Sequence, residues 1–314
     1  MNTATRYNWS RSGTVSRVDS QLLEIVPNFS EGVDELTLDA IDSAFRTAGA
    51  YVADIHRDID HNRSVFTLVG DEAQLLDALL AGISCARERI DLRSHIGAHP
   101  RIGVADVVPI VPLRPEDMGR AQAVALQLGR RIGEELGLPV FLYGTLAPER
   151  SPAYFRRGGP EELQRRIGVG EVVPDFGPAQ LDPAAGGVIV GARRPLIAFN
   201  VNLVDANVEA AREIATAIRE RDGGFPGVRA LGLNLPQAGH AQVSMNVEDW
   251  EASALHEIVA AIEHEAHVRG VEVAGAELVG LIPAGAAAAA AGAALRIDGF
   301  DASRLLELRV LDRS

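Results

Sequence analysis

The residues best suited to proton transfer lie in a short loop, His95-Ile96-Gly97-Ala98-His99-Pro100-Arg101, which precedes an apolar strand. Imidazole is the side chain whose ordinary pKa lets it both accept and donate a proton near neutral pH. Pro100 restricts the backbone beside His99, and Gly97 and Gly103 permit unusual turns. A lone histidine is usually an ordinary surface residue, but this setting makes His99 the predicted catalytic acid–base.

A second polar cluster, Asp54-Ile55-His56-Arg57-Asp58-Ile59-Asp60-His61-Asn62-Arg63, separates two predicted strands, and its charge density is abnormal for a hairpin turn. His and Asp are metal ligands, but no tight spacing such as H-E-x-x-H occurs, so we predict no metal. A charged, hydrogen-bonding wall of a binding site fits better. The expected substrate-binding residues of this wall are Asp54, His56, His61, Asn62 and Arg63, with Arg101 as a second carboxylate-binding guanidinium.

A third cluster, Pro27-Asn28-Phe29-Ser30-Glu31-Gly32, follows a predicted first strand. Ser30 or Asp34 is expected to cap the helix that begins there. Gly32 is expected to relieve the turn. Neither role uses Asn28, so we assign Asn28 to substrate binding.

The composition excludes several classes of function. The chain has 314 residues, a formal net charge of −13 and one cysteine, Cys85. The acidic balance argues against non-specific binding to nucleic acid or anionic membranes. The single cysteine and the polar N-terminus, which has no apolar signal core, lead us to expect a cytoplasmic protein. No dinucleotide-binding, P-loop or serine-hydrolase motif is present.

Hydrophobic periodicity predicts an alternation of strands and helices that divides into two α/β halves. We expect a flexible tail at 1–20, an N-terminal subdomain with the catalytic histidine at 21–185, and a C-terminal subdomain at 186–314. The proline-rich stretch 146–187 is predicted to be irregular. The second half is expected to begin at Gly187, with strands Val188 to Val190 and Leu196 to Val201.

The three clusters, together with later stretches, resemble the formiminotransferase domain of glutamate formiminotransferases, which is the transferase half of formiminotransferase-cyclodeaminase. The resemblance runs in order from residue 22 to about 310. It is carried by Val26-Pro27-Asn28-Phe29-Ser30-Glu31-Gly32, Asp60-His61-Asn62-Arg63-Ser64-Val65, His99-Pro100-Arg101-Ile102-Gly103, Asp106-Val107-Val108-Pro109, Gly133-Glu134-Glu135-Leu136-Gly137-Leu138-Pro139-Val140, Pro174-Asp175-Phe176-Gly177-Pro178, the stretch from Gly191 to Leu203, and Glu277-Leu278-Val279-Gly280-Leu281-Ile282-Pro283.

This resemblance implies an α/β fold of the α+β type. Its two ferredoxin-like subdomains would each have a mixed sheet with helices on the outer face, with a cleft between the sheets, and the chain would form a homodimer. Tetrahydrofolate would be the co-substrate, and the family's catalytic histidine matches His99. The implied folate-contacting residues are Gly177, Pro178, Ala179, Pro183 and Gly186 in the loop from Gly177 to Gly186, together with Asn200 and Asn202.

The implied reaction moves a formimino group between N-formiminoglutamate and N5 of tetrahydrofolate, a step of histidine degradation and one-carbon metabolism. A separate cyclodeaminase is expected to carry the step that follows. Two alternatives stay open, because Ala98 and His56 stand where the family usually has acidic residues. One is formyl or formimino transfer involving glycine or another amine, and the other is a folate-binding protein with reduced catalysis.

Overall fold

A computed structural model describes residues 22–204, 208–236 and 238–311, so the predicted tail at 1–20 lies outside the described residues. Contacts divide the chain after Arg194 into two units. The first unit contains β1 (Leu23–Ile25), β2 (Asn28–Phe29), α1 (Glu35–Thr47), β3 (Tyr51–Asp58), β4 (Arg63–Gly70), α2 (Glu72–Arg89), β5 (Ala105–Pro112), α3 (Met118–Arg131), β6 (Val140–Gly144), α4 (Pro152–Arg156), α5 (Gly159–Gly168) and β7 (Val188–Ala192).

The first unit is built on a seven-stranded mixed sheet. Both β1 and β2 pair antiparallel with β4 on one side and β5 on the other, so they act as one interrupted strand. With β3 beyond β4, the segment from β1 to β5 has the β-α-β-β-α-β arrangement of ferredoxin-like folds. The strands β7 and β6 extend the sheet beyond β5 by parallel pairing.

Local signals in the sequence account for the first two helices. Asp34, and not Ser30, caps α1, because its carboxylate accepts a hydrogen bond from the backbone N–H of Leu36. A capping box between Asp71 and Gln74 begins α2. The apolar stripes of both helices pack on one face of the sheet in a core that includes the mutually contacting rings of Phe29, Phe45 and Phe66.

Two helices lie in the stretch 146–187, which was wrongly predicted to be irregular. Pro152 and Pro160 mark the first turns of α4 and α5, where proline is well tolerated because those backbone N–H groups need no helical partner. The two helices contribute to a second apolar cluster with β5, β6 and β7. Helices therefore cover both faces of this part of the sheet, and every residue of β5 is buried.

The strand β7 belongs to the first sheet, where it lies between β5 and β6. Its sequence position predicted that it belongs to the second half. The division between the units therefore comes after Arg194, later than the predicted start at residue 186. Parallel pairing with β5 and β6 gives this short apolar strand two buried neighbours.

The second unit contains β8 (Ile197–Val204), α6 (Val208–Ile218), β9 (Val228–Leu235), β10 (His240–Val247), α7 (Leu255–Val268), β11 (Glu272–Val279), α8 (Ala284–Leu295) and α9 (Leu306–Leu311). Its strands form a four-stranded sheet with the order β11-β8-β10-β9. Every pairing in it is antiparallel, so the expectation of a mixed sheet is wrong for this unit. The succession β8-α6-β9-β10-α7-β11 again matches the ferredoxin-like arrangement.

A separate hydrophobic core stabilises the second unit. It joins the inward-facing residues of β8 and β10, such as Val201 and Val243, to those of α6 and α7, such as Ile214 and Ile258. Across the described ranges, no helix combines the length and the apolarity needed to cross a membrane.

Candidate active site

Asn62 joins the three polar clusters that the sequence singled out. It lies in the turn between β3 and β4 with a φ of 44°, in the left-handed region that asparagine tolerates better than most residues. Its side-chain oxygen accepts a hydrogen bond of 2.9 Å from the backbone N–H of Gly32. Its amide nitrogen donates one of 2.9 Å to the carbonyl of Ile96. Asn62 therefore fixes the positions of the loops around it.

Close backbone approach explains two of the glycines in these loops. A Cβ on Gly97 would overlap the carbonyl oxygen of His61, and a Cβ on Gly32 would overlap that of Asp58. Neither glycine has a positive φ. The structure thus corrects the expectations that Gly97 permits an unusual turn and that Gly32 relieves one, because both glycines instead permit tight packing of loop against loop.

Arg101 holds the loop that carries His99. Its guanidinium donates hydrogen bonds to the carbonyl of His99 from Nε at 3.1 Å and from Nη2 at 2.8 Å, and Nη2 also donates to the carbonyl of His61 at 2.9 Å. The remaining nitrogen, Nη1, contacts the ring of His95 and the carbonyl of Asn62. Burial and the charge of Arg101 lower the pKa of His95 to about 4. The donors of Arg101 thus bind the backbone that positions His99.

The imidazole of His99 has defined neighbours on one side. Its Nδ1 lies 2.7 Å from the carbonyl oxygen of Pro100 and 3.2 Å from Nη1 of Arg63. In the tautomer that carries its proton on Nδ1, this nitrogen donates to the nearer carbonyl and Nε2 keeps the lone pair that accepts a proton, while Arg63 acts on the ring through its charge. The ring of His61 packs beside it at a centroid distance of 5.8 Å. Burial, followed by the charges of Arg63 and Arg156, holds the pKa of His99 well below its usual value.

A buried charge cluster made of Arg63, Asp106 and Arg156 lies next to His99. The carboxylate of Asp106 accepts a hydrogen bond of 2.8 Å from Nη1 of Arg63 and one of 2.5 Å from Nη2 of Arg156. Its other oxygen accepts from the backbone N–H of Ile102 at 2.8 Å. Burial alone would raise the pKa of Asp106, but Arg156, Arg63 and the hydrogen bonds keep it below its usual value.

A β-bulge places Asp106 in this cluster. Asn28 pairs with Val107 and Phe29 pairs with Ala105, so Asp106 is the extra residue on its strand. Bulges of this kind redirect a side chain and are common beside active sites. The site prediction omitted Asp106 and Arg156. A carboxylate within the otherwise apolar strand β5 was the signal that pointed to the first of them.

Asn28 lies against Arg63. Its side-chain oxygen accepts hydrogen bonds from Nε of Arg63 at 3.2 Å and from Nη2 at 2.8 Å, while its amide nitrogen donates to the carbonyl of Val26 at 2.7 Å. Asn28, which was predicted to bind the substrate, thus orients the guanidinium of Arg63. It can do so because its strand, β2, pairs with β4, the strand that begins at Arg63.

The predicted residues Asp54 and His56 lie on β3 and share a face of the sheet with Arg63. Their partners across the ladder are Thr67 and Val65, which alternate with core residues of β4. Asp58, on the same strand, lies beside His61: its carboxylate is 3.8 Å from Nε2 of this buried histidine and accepts a hydrogen bond of 2.8 Å from the backbone N–H of His61.

The predicted folate loop, residues 177–186, is anchored to the loop that carries His99. The backbone N–H of Leu92 donates to the carbonyl of Ala184, and that of Val104 donates to the carbonyl of Ala185. Gly186 is buried, and a Cβ there would overlap the carbonyl of Ile102. The exposed members of the predicted set in this loop are Gly177, Pro178, Ala179 and Pro183.

Asn200 and Asn202 belong to the second unit, on the face of β8 that alternates with its core residues. Asn200 donates a hydrogen bond of 3.1 Å to Glu277, and Asn202 accepts one of 2.9 Å from Gln242. This face is therefore rich in amide groups. Within the part of the chain that the structure describes, no three His, Cys, Asp or Glu side chains group together as metal ligands.

Comparisons with known proteins agree with this architecture. Residues 22–193 match the formiminotransferase domain, N-terminal subdomain, and residues 198–298 match the formiminotransferase domain. The chain is 40% identical over 295 residues to the glutamate formimidoyltransferase of Thermoplasma acidophilum, covering 92% of this chain and 97% of that protein. It is 38% identical over 286 residues to the Streptococcus pyogenes protein of the same name, covering 90% and 96%.

A longer relative shares the same region. The chain is 40% identical over 275 residues to the formimidoyltransferase-cyclodeaminase of Rattus norvegicus, which covers 84% of this chain and 50% of that protein. The two domain matches meet near the division between the units, and together they take in His99 and its neighbours. The chain therefore belongs to the formiminotransferase family.

Proposed function

We propose that this protein transfers a formimino group between N-formiminoglutamate and N5 of tetrahydrofolate, with His99 as the general acid–base. The family and the relatives named glutamate formimidoyltransferase support the reaction. The observation that carries the role of His99 is its setting. Nδ1 lies 2.7 Å from the carbonyl oxygen of Pro100, and when it donates to that oxygen Nε2 is the proton acceptor.

The proton balance of the reaction requires a group that both accepts and donates. When N5 attacks the formimino carbon, a new C–N bond forms and N5 loses a proton. When the bond to the glutamate nitrogen breaks, that nitrogen gains a proton. A single imidazole can carry the proton from the first nitrogen to the second. Holding both substrates in position supplies much of the remaining rate enhancement.

The neighbours of His99 suit both halves of this transfer. Burial and the nearby guanidinium groups of Arg63 and Arg156 keep the imidazole neutral near neutral pH, so it is ready to accept a proton. The same surroundings make the imidazolium a stronger acid than usual, which favours delivery of the proton to the departing amine.

We also propose that the exposed part of the folate loop contacts the co-substrate. The resemblance to the family separately supports Asn200 and Asn202, on the amide-rich face of β8, as folate-contacting residues. The pterin ring offers several hydrogen-bonding groups that amide side chains can match. The resemblance to the family supports a homodimer and a separate cyclodeaminase as partner. The single cysteine is consistent with action in the cytoplasm.

The test is a comparison of donors with the purified protein. N-formiminoglutamate, N-formiminoglycine and N-formylglutamate are each incubated with tetrahydrofolate, and the product is followed by absorbance and mass. We expect the highest kcat/KM for N-formiminoglutamate. A higher value for either other donor would reassign the substrate, and binding of folate without transfer from any donor would indicate a folate-binding protein.

A further inference from the structure

The charge cluster of Arg63, Asp106 and Arg156 is not neutral. One carboxylate, with a fully buried side chain, faces two guanidinium groups whose side chains are only 12% and 13% exposed. One positive charge of the three residues is therefore left without a partner inside the cluster. Burial is the main reason why the pKa of Arg63 falls to about 10. The charges of Arg156 and Arg101 also lower this pKa, whereas the carboxylate of Asp106 raises it.

Arg156 has hydrogen-bonding capacity to spare. Its Nη2 binds Asp106, but among the described residues its Nε is buried and has no hydrogen-bond partner. Arg101 differs, because its nitrogens are engaged with backbone carbonyls and with the ring of His95. A buried guanidinium with an unsatisfied donor and an uncompensated charge is suited to a planar anion such as a carboxylate.

The position of the cluster identifies the anion. Nη1 of Arg63 lies 3.2 Å from Nδ1 of His99, so a carboxylate bound here lies close to the proton-transferring ring. In a formimino amino acid, the α-carboxylate is attached to the same carbon as the nitrogen that must receive the proton. The γ-carboxylate of glutamate and the glutamate tail of folate are both farther from the reacting atoms.

We propose that Arg156 binds the α-carboxylate of the formimino amino acid, that Arg63 adds its positive charge to this site, and that Asp106 is a positioning residue that holds the two guanidinium groups together. This inference rests on the proposed function. In this arrangement Asn28 and Asp106 hold the arginines in position, and the carboxylate of the substrate neutralises the remaining positive charge of the cluster.

The experiment compares the parent with Arg156→Gln. The donors are N-formiminoglutamate, its α-amide and its γ-amide, and the acceptors are tetrahydrofolate and tetrahydropteroate, which lacks the glutamate tail. We expect Arg156→Gln to raise KM for N-formiminoglutamate about tenfold to hundredfold, with a smaller change in kcat. The parent should prefer N-formiminoglutamate to its α-amide, and the variant should lose most of that preference.

The matched control is Arg157→Gln at the next position. The side chain of Arg157 is 66% exposed and pairs with Glu171 at the surface. The Arg157→Gln substitution therefore removes the same charge as Arg156→Gln but leaves the charge cluster intact. We expect parent-like kinetics from it. If Arg156→Gln does not fold, as judged by its melting curve, then Arg156→Lys tests the proposal instead. It keeps the charge but not the fork of donors, and it should bind the α-carboxylate more weakly than the parent does.

Several results would overturn the proposal. An unchanged preference for the α-carboxylate in the Arg156 variant would do so, and so would a loss of discrimination confined to the γ-amide or to the folate tail. If the parent transfers no formimino group, the proposed function fails separately. Calorimetry then tests the inference by measuring how tightly N-formiminoglutamate and its α-amide bind to the parent and to Arg156→Gln. The variant should bind N-formiminoglutamate more weakly than the parent does, and it should bind the α-amide as the parent does.

Discussion

The imidazole of His99 combines a close backbone hydrogen-bond acceptor with positively charged surroundings. Its Nδ1 is held by the carbonyl of Pro100, and Arg63 and Arg156 lie close enough to disfavour protonation. His61 stacks beside the ring, while Asp106 neutralises part of the positive charge. These neighbours come from separate segments of the first unit, so the chemistry of this one residue depends on the packing of several loops.

The protonation of His99 can be measured directly. We expect its ring-proton NMR signal to titrate with a midpoint well below the ordinary 6.5 of histidine, because both burial and the neighbouring guanidinium groups favour the neutral form. As pH falls, the residue should therefore stay neutral after exposed histidines have become charged. Comparison with His99→Gln assigns the signal. A midpoint at or above 6.5 would disprove this account of its environment.

At the scale of elements, the site depends on loops that pack tightly against the turn between β3 and β4. Gly97→Ala should displace the loop that carries His99, since the new methyl group would overlap the carbonyl of His61. We expect a loss of about 1–3 kcal/mol in the free energy of unfolding and a clear fall in kcat/KM. Chemical denaturation and steady-state kinetics measure the two effects.

A matched control for this substitution exists in α3. An added Cβ at Gly119 meets nothing within 4 Å. Gly119→Ala should therefore be neutral, or more stable by up to about 1 kcal/mol from helix propensity. Equal effects of the two alanine substitutions would show that the loop contact at Gly97 does not matter for the site.

Periodicity and capping signals predicted most of these elements, while long-range contacts limited the prediction of the site. The sequence offered Asp34 as a cap for α1, because helix caps are local. It did not reveal that β7 inserts between β5 and β6, since that depends on sheet order. The contact of Arg156 with Asp106 was missed for the same reason, as the two residues are 50 positions apart.

At the scale of the whole molecule, each unit has its own sheet and its own hydrophobic core. We therefore predict that residues 21–194, expressed alone, fold cooperatively and keep the environment of His99, because its assigned neighbours all lie in that unit. Thermal unfolding followed by circular dichroism, and the NMR titration of His99, measure this. A fragment without a cooperative transition would show that the division does not mark an independent folding unit.

The central claim is that His99 carries the proton in formimino transfer. The most direct test is the rate of transfer from N-formiminoglutamate to tetrahydrofolate under saturating conditions in parent, His99→Ala and the control His264→Ala, whose residue is exposed on α7 of the second unit. We predict that His99→Ala lowers kcat about 10²–10⁴-fold with an unchanged melting temperature, while His264→Ala matches the parent. Transfer by His99→Ala at close to the parent rate would contradict the account.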